Sequence, residues 1–253
     1  MAVSLRELQQ ELDRLLQPGQ FRDYCPNGLQ VEGRGQVQRL ATGVTASQAL
    51  VDAAIEWEAD AILVHHGYFW KGEEPVLVGM KRRRLAALLG SDTSLLAYHL
   101  PLDAHPELGN NACLGRLLGI EESEPLQPGN SDSVGNLATL DDPATVGDFL
   151  ARLREVTGRE PLHIGDPERE VLRVAWCTGA AQGYIDAALA ARADLYITGE
   201  VSEQTVHTAR EEGIDFIAAG HHATERYGVQ AVGESMAERF DLEHRFIDID
   251  NPV

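Results

Sequence analysis

The chain has 253 residues, 43% hydrophobic and 24% charged, with a formal net charge of -19. This is enough apolar material for a substantial core, as one large α/β unit or two smaller lobes, while so acidic a chain is a poor partner for duplex nucleic acid, whose binding rests on phosphates neutralised by Lys and Arg. No window approaches the roughly 20 apolar residues that span a bilayer, no leader-like segment opens the chain, and Cys25, Cys113 and Cys177 are odd in number and far apart; the expectation is a soluble cytoplasmic protein with free thiols and no membrane contact.

The spacing predicts a first helix over Ser4–Leu16, with Ser4 and Glu7 as a capping box and Leu5, Leu8, Leu12, Leu15 and Leu16 as one stripe, ended by Pro18-Gly19. Beyond a Gly-rich loop, Leu40–Val44 reads as a strand, Thr45 or Ser47 can cap the helix that follows, and Ala61–Val64 is a second strand, implying a parallel pair with a right-handed crossover. Arg84–Leu89, Leu95–Tyr98 and Asn111–Leu118 read as helix, strand and helix. Glu121–Ser133, rich in Pro, Gly, Ser and acidic residues without a period, reads as a linker. Then come helix Val146–Val156, strand Leu172–Trp176, helix Ile185–Ala191, strand Leu195–Thr198, helix Ser202–Arg210, strand Ile214–Ala218, helix Thr224–Arg239 and strand Glu243–Ile249.

Ala41–Gly67 can be laid on Ala175–Val201 without a gap. Ala41/Ala175, Gln48/Gln182, Asp52/Asp186, Ala53/Ala187, Ala54/Ala188, Ala59/Ala193 and Asp60/Asp194 are then identical, and His65-His66 faces Gly199-Glu200. The expected fold class is therefore α/β: two similar lobes, residues 1–125 and 130–253, with mainly parallel sheets and a shared metal cleft between them.

The chemistry concentrates at apparent strand ends. His65-His66 follows Ala61–Val64, His221-His222 follows Phe216–Gly220, and His99-Leu-Pro-Leu-Asp103 and His221-His-Ala-Thr-Glu225 both present His-x-x-x-carboxylate. Open α/β sheets place ligands at the carboxyl ends of their strands, and imidazole and carboxylate suit divalent zinc, iron, manganese or nickel. His65, His66, Asp103, His221 and Glu225 exceed the three protein ligands of a catalytic tetrahedral site, so two divalent ions are expected, a pairing that supplies a nucleophilic hydroxide at neutral pH. Glu225 is read as the bridge, with His66 and Asp103 on one ion and His65 and His221 on the other. Glu225 or His99 would carry protons, and His105, His222 and Glu200 stand nearby as supporting groups. Tyr68-Phe69-Trp70 reads first as packing and second as a stacking wall, Lys81-Arg82-Arg83-Arg84 as a solvated helix face rather than a phosphate site, and Cys177–Gly183 only weakly as an anion-binding turn.

Thr42-Gly43-Val44-Thr45, Val64-His65-His66-Gly67, His99–Asp103, Gly109-Asn110-Asn111, Ile197-Thr198-Gly199-Glu200 and Gly220–Glu225 together resemble the GTP cyclohydrolase I type 2 homologues, the NGG-interacting-factor-three-like family, in its short enterobacterial form, from about Leu8 to Pro252. The resemblance implies a dinuclear metal site at His65, His66, Asp103, His221 and Glu225, and two similar α/β lobes. It also implies a ring-shaped homohexamer and an activity of opening the GTP imidazole ring. The leading expectation is a metal-dependent hydrolase of a small molecule, with a purine nucleotide first. A metal-binding ring that buffers ions or scaffolds partners without turnover is the alternative from another class, and a two-metal phosphoesterase fits the same donors.

Overall fold

The computed structural model describes residues 2–130 and 133–253. Its first helix has the capping box that the sequence predicts: the Ser4 side chain accepts from the Glu7 amide, Glu7 returns a bond to the Ser4 amide, and helix Leu5–Leu16 buries Leu5, Leu8, Leu12 and Leu16, while Leu15 of the expected stripe is only half-buried. The chain builds two compact units, one from the segment up to Leu102 together with Gly228–Asp250, the other from Asp103–Tyr227 together with Asn251–Val253.

The first unit holds a five-stranded sheet in the order Glu243–Phe246, Arg39–Thr45, Ala61–His66, Ser94–Ala97, Gly28–Val31. Its first three pairings are parallel and the last is antiparallel. Ser47, rather than Thr45, caps helix Gln48–Glu56 by accepting from the Leu50 amide. Leu50, Val51 and Ala54 of that helix pack with Ile62, Val64 and Leu95 of the sheet in one core.

The second unit holds six strands in the order Glu124–Pro125, Asn136–Thr145, Glu170–Cys177, Leu195–Thr198, Asp215–Ala218, Leu162–Ile164. Only the two inner pairings are parallel, and three are antiparallel. The sheets are thus mixed, and "mainly parallel" describes the first far better than the second. The unanticipated strands explain this. Asn136–Thr145 carries exposed Asp141, Asp142 and Pro143 mid-strand, which breaks the alternation by which strands are recognised, and Leu162–Ile164 is only three residues long. Phe149, Leu153, Val174, Trp176 and Ile197 form this unit's core.

The internal repeat is structural. Leu40 pairs with Ala61 in the first unit and Val174 with Leu195 in the second, which are equivalent positions of the repeat. The repeated aspartates explain the shared register: the Asp60 carboxylate accepts from the amides of Gln38 and Arg39, and Asp194 from those of Leu172 and Arg173. Each also donates its own amide back, to Arg39 O and Arg173 O. One carboxylate thus clamps the start of a strand to the turn before its parallel neighbour.

The units do not follow linear halves at 1–125 and 130–253. Glu243–Phe246 pairs with Arg39–Thr45, which draws the C-terminal strand into the first unit's sheet. Residues after Leu102 join the second unit because Leu114, Leu118 and Ile120 are buried with Trp176, whose indole donates to Asn111 O. Within the expected linker Glu121–Ser133, Glu124–Pro125 is a short strand, and residues 131 and 132 lie outside the described residues. Among the described residues no helix is long and apolar enough to cross a membrane.

Replacing Asp194 with Ala strands two backbone N–H groups and should cost roughly 1–3 kcal/mol in denaturant unfolding. Asp186→Ala, on an exposed helix position of the same repeat, should change stability by less than about 0.5 kcal/mol; equal effects would show that the clamp does not set this register.

Candidate metal centre

In the first unit His65 and His66 close strand Ala61–His66, one residue pair further into the strand than its apolar run suggested. His65 is fully buried, and its Nδ1 lies 3.1 Å from Tyr98 O. A carbonyl oxygen only accepts, so Nδ1 carries a proton in this contact. His66 Nδ1 meets Thr45 Oγ1 at 3.1 Å, and His99 Nδ1 meets Asp23 Oδ1 at 2.6 Å. His65, His66 and His99 each offer a donor atom within 4.8 Å of the others.

Asp23 was not legible in the sequence, since a lone aspartate in a loop gives no signal. Its carboxylate accepts from His99, Asn27 and the amides of Tyr24 and Leu100. Burial pushes its pKa up, but the His99 and Asn27 hydrogen bonds, the His99 charge and the Tyr24 amide outweigh it and hold the carboxyl at about 2. Cys25 also lies within reach of Asp23 and His99, yet burial and the Asp23 charge push its thiol up to about 12. A thiol so reluctant to ionise is a poor ligand, which leaves His65 and His66 as the better candidate donors of this unit. Trp70 sets its indole edge-on to His99, centroids 5.0 Å apart, and tilts over His66 at 5.9 Å. Tyr68 instead is buried, its hydroxyl donating to Ala46 O, and Phe69 faces outward under Lys81.

In the second unit Asp103 lies on the short helix Leu100–Ala104 and is buried. Its Oδ1 accepts from Asn110 Nδ2 at 2.9 Å and Thr178 Oγ1 at 3.3 Å. His221 opens the four-residue helix His221–Thr224, and Glu225 follows at its C-cap rather than inside a long helix. The spacing of four still brings them together, with His221 Nε2 3.2 Å from Glu225 Oε2, while His221 Nδ1 lies 2.7 Å from Glu200 Oε1. Glu200, at the repeat position of His66, therefore orients a neighbouring imidazole. Burial disfavours the charged His221, but bonds and charges from Glu225 and Glu200 prevail and raise its pKa to about 9. Cys177 is held well above the ordinary thiol value by burial and then by the charges of Asp103 and Glu225.

The Cys177–Gly183 loop holds carboxylates of the chain itself. Thr178 binds Asp103, and Gly179, at φ 73°, gives way to Glu225: a Cβ there would collide with its Oε1. Other candidates have different roles. His105 accepts the amides of Glu107 and Leu108 as a turn cap, His222 donates its amide to Val253 O, and Arg82 and Arg83 are exposed on helix Gly79–Gly90.

The family model for Duf34/NIF3 (NGG1p interacting factor 3) matches residues 3–252. The chain belongs to this family. Among Duf34/NIF3 relatives, a Pseudomonas aeruginosa protein named GTP cyclohydrolase 1 type 2 homolog is 62% identical over 253 residues, covering 100% of both chains. An Escherichia coli K12 protein of the same name is 54% identical over 251 residues, covering 98% of each. The solved structure of protein ybgI, of unknown function, superposes with a TM-score of 0.93 at 52% identity, covering 99% of this chain and 100% of that one. TTHA1606 from Thermus thermophilus gives 0.88 at 34%, covering 99% and 100%. The expected family is borne out.

Because the Asp23 pKa is depressed below its ordinary 3.8, its stabilising contribution is present above that value and lost as pH falls through about 2. Asp23→Asn should lower stability near neutral pH by roughly 1–3 kcal/mol and converge with the wild type in acid. A constant difference in urea unfolding across that range would contradict the assignment.

Proposed function

We propose that this protein is a metal-dependent hydrolase of a small molecule, holding two divalent ions through His65, His66, Asp103, His221 and Glu225. The observation that carries the reading is the shared anchoring of three of these imidazoles: Nδ1 of His65, His66 and His221 is each met by an oxygen, from Tyr98, Thr45 and Glu200. Ligating histidines are oriented in this way, with the remote Nε2 turned to the cation. Buried Asp103 and Glu225 add the hard oxygens that iron, zinc, manganese or nickel accept beside nitrogen. When bound, such ions supply Lewis acidity and lower the pKa of water.

The chain's own groups do the rest. His99, backed by Asp23 at Nδ1, can take up or return a proton at Nε2. Glu225, 3.2 Å from His221 Nε2, is placed to ligate and to pass a proton. Trp70 packs its indole against His66 and His99. The relatives' name makes ring opening of a purine nucleotide such as GTP, with release of formate, the first reaction to try. Self-association into a homohexamer is part of the reading, supported by the exposed apolar run Val76, Leu77, Val78 and Met80, as is residence in a reducing cytoplasm, supported by Cys25 and Cys177, buried outside any disulfide.

Elemental analysis of untreated protein should find about two divalent ions per chain, and His66→Ala and Glu225→Ala should each lower that content without unfolding the protein. Unchanged content in both would end the metal assignment. Loaded protein given GTP should release formate; its absence would remove the ring-opening reaction while leaving other hydrolysis to a substrate screen. Since His221 holds a proton up to about 9, metal uptake should strengthen as pH rises towards that value and should release protons, which titration calorimetry in buffers of different ionisation enthalpy reads directly.

A further inference from the structure

Arg159 follows the helix Val146–Thr157, which ends at Gly158 in the left-handed region at φ 72°. Its side chain lies against the backbone of Gly220, the residue before His221. A Cβ on Gly220 would collide with Arg159 Nη1 and stand 2.9 Å from Cδ, and Gly220 itself sits at φ 103°. Any other residue there would displace the guanidinium, so the glycine is the seat on which the cation rests. Arg159 Nη1 is buried and donates no hydrogen bond, and among the described residues no carboxylate pairs with this guanidinium. A desolvated charged donor without an acceptor is costly.

A cavity of about 390 Å³ opens at this point, lined by Arg159, Glu160, Gly199, Glu200, Gly220 and Val253 among others. Its acidic groups are engaged elsewhere. Glu160 forks onto Arg154 at 2.5 and 2.6 Å, and Glu200 holds His221 Nδ1 at 2.7 Å. Val253 O accepts the His222 amide at 2.9 Å. Arg159 is the cation of the lining, and its planar fork matches the oxygens of a phosphate or carboxylate. The volume lies in the range of small-molecule pockets and exceeds what a lone anion fills.

We propose that this cavity is an oxyanion subsite in which Arg159, seated on Gly220, grips the phosphate or carboxylate of a small molecule. The subsite stands on its own. That the anion belongs to the molecule hydrolysed beside His221 rests on the function proposed above.

The test titrates inorganic phosphate, and in parallel acetate, into the full-length protein as purified, for wild type, Arg159→Gln and Arg159→Lys, with melting curves and metal content measured on each. The wild type should bind at least one anion, and the tighter one identifies which headgroup the site takes. Arg159→Gln should weaken that binding about tenfold, with Arg159→Lys intermediate and metal content unchanged, so the result does not depend on the metal assignment. Anion affinity equal in all three proteins, or no binding of either anion to the wild type, would overturn the proposal. Should Arg159→Gln fail to fold, the wild-type against Arg159→Lys comparison decides the question, with equal affinity counting against it.

Discussion

Two carboxylates, those of Asp60 and Asp194, hold the site's strands in register. Each binds two amides at the start of one strand from the turn before its parallel neighbour, and so fixes how a strand pair is aligned. In a sheet, a slip of one residue would send every side chain to the opposite face. It would bury the wrong end of Ala61–His66 and turn His65 away from Tyr98 O. The same clamp at equivalent positions explains how two sequences with few identities deliver chemistry to corresponding strand ends: His65-His66 in one unit, Gly199-Glu200 in the other.

What arrives at those ends differs because the neighbours differ. In the first unit the strand end carries two imidazoles, with His99 beside them on the following segment and Trp70 across them. In the second, Glu200 occupies the place of His66 and acts through His221, while Gly179 and Thr178 make room for Glu225 and hold Asp103. The Cys177 thiol feels both carboxylates and stays protonated, consistent with a site that uses nitrogen and oxygen and leaves sulfur inert. Around the imidazoles, oxygens at Nδ1 recur, and this repeated orientation is what separates a set of potential ligands from histidines that merely lie near one another.

Much of this was legible along the chain. The capping box at Ser4 and Glu7, the paired strand-helix-strand units, the gap-free repeat and the His-x-x-x-carboxylate spacings follow from local periodicity and capping chemistry, which depend on residues a few positions apart. The antiparallel strand Asn136–Thr145 was not, because Asp141-Asp142-Pro143 interrupts its alternation. Nor was the return of Glu243–Phe246 to the first sheet, because pairing over some two hundred residues leaves no local trace.

Residue type and spacing alone sufficed for the family, the α/β class and the candidate donors His65, His66, Asp103, His221 and Glu225. Folding in three dimensions was needed to settle which oxygen holds each imidazole, that Asp23 backs His99, that Glu200 serves His221, and that Arg159 rests on Gly220 at the edge of a cavity. Those relations join residues far apart in the chain, and a hydrogen bond exists only where folding brings its donor within about 3 Å of its acceptor.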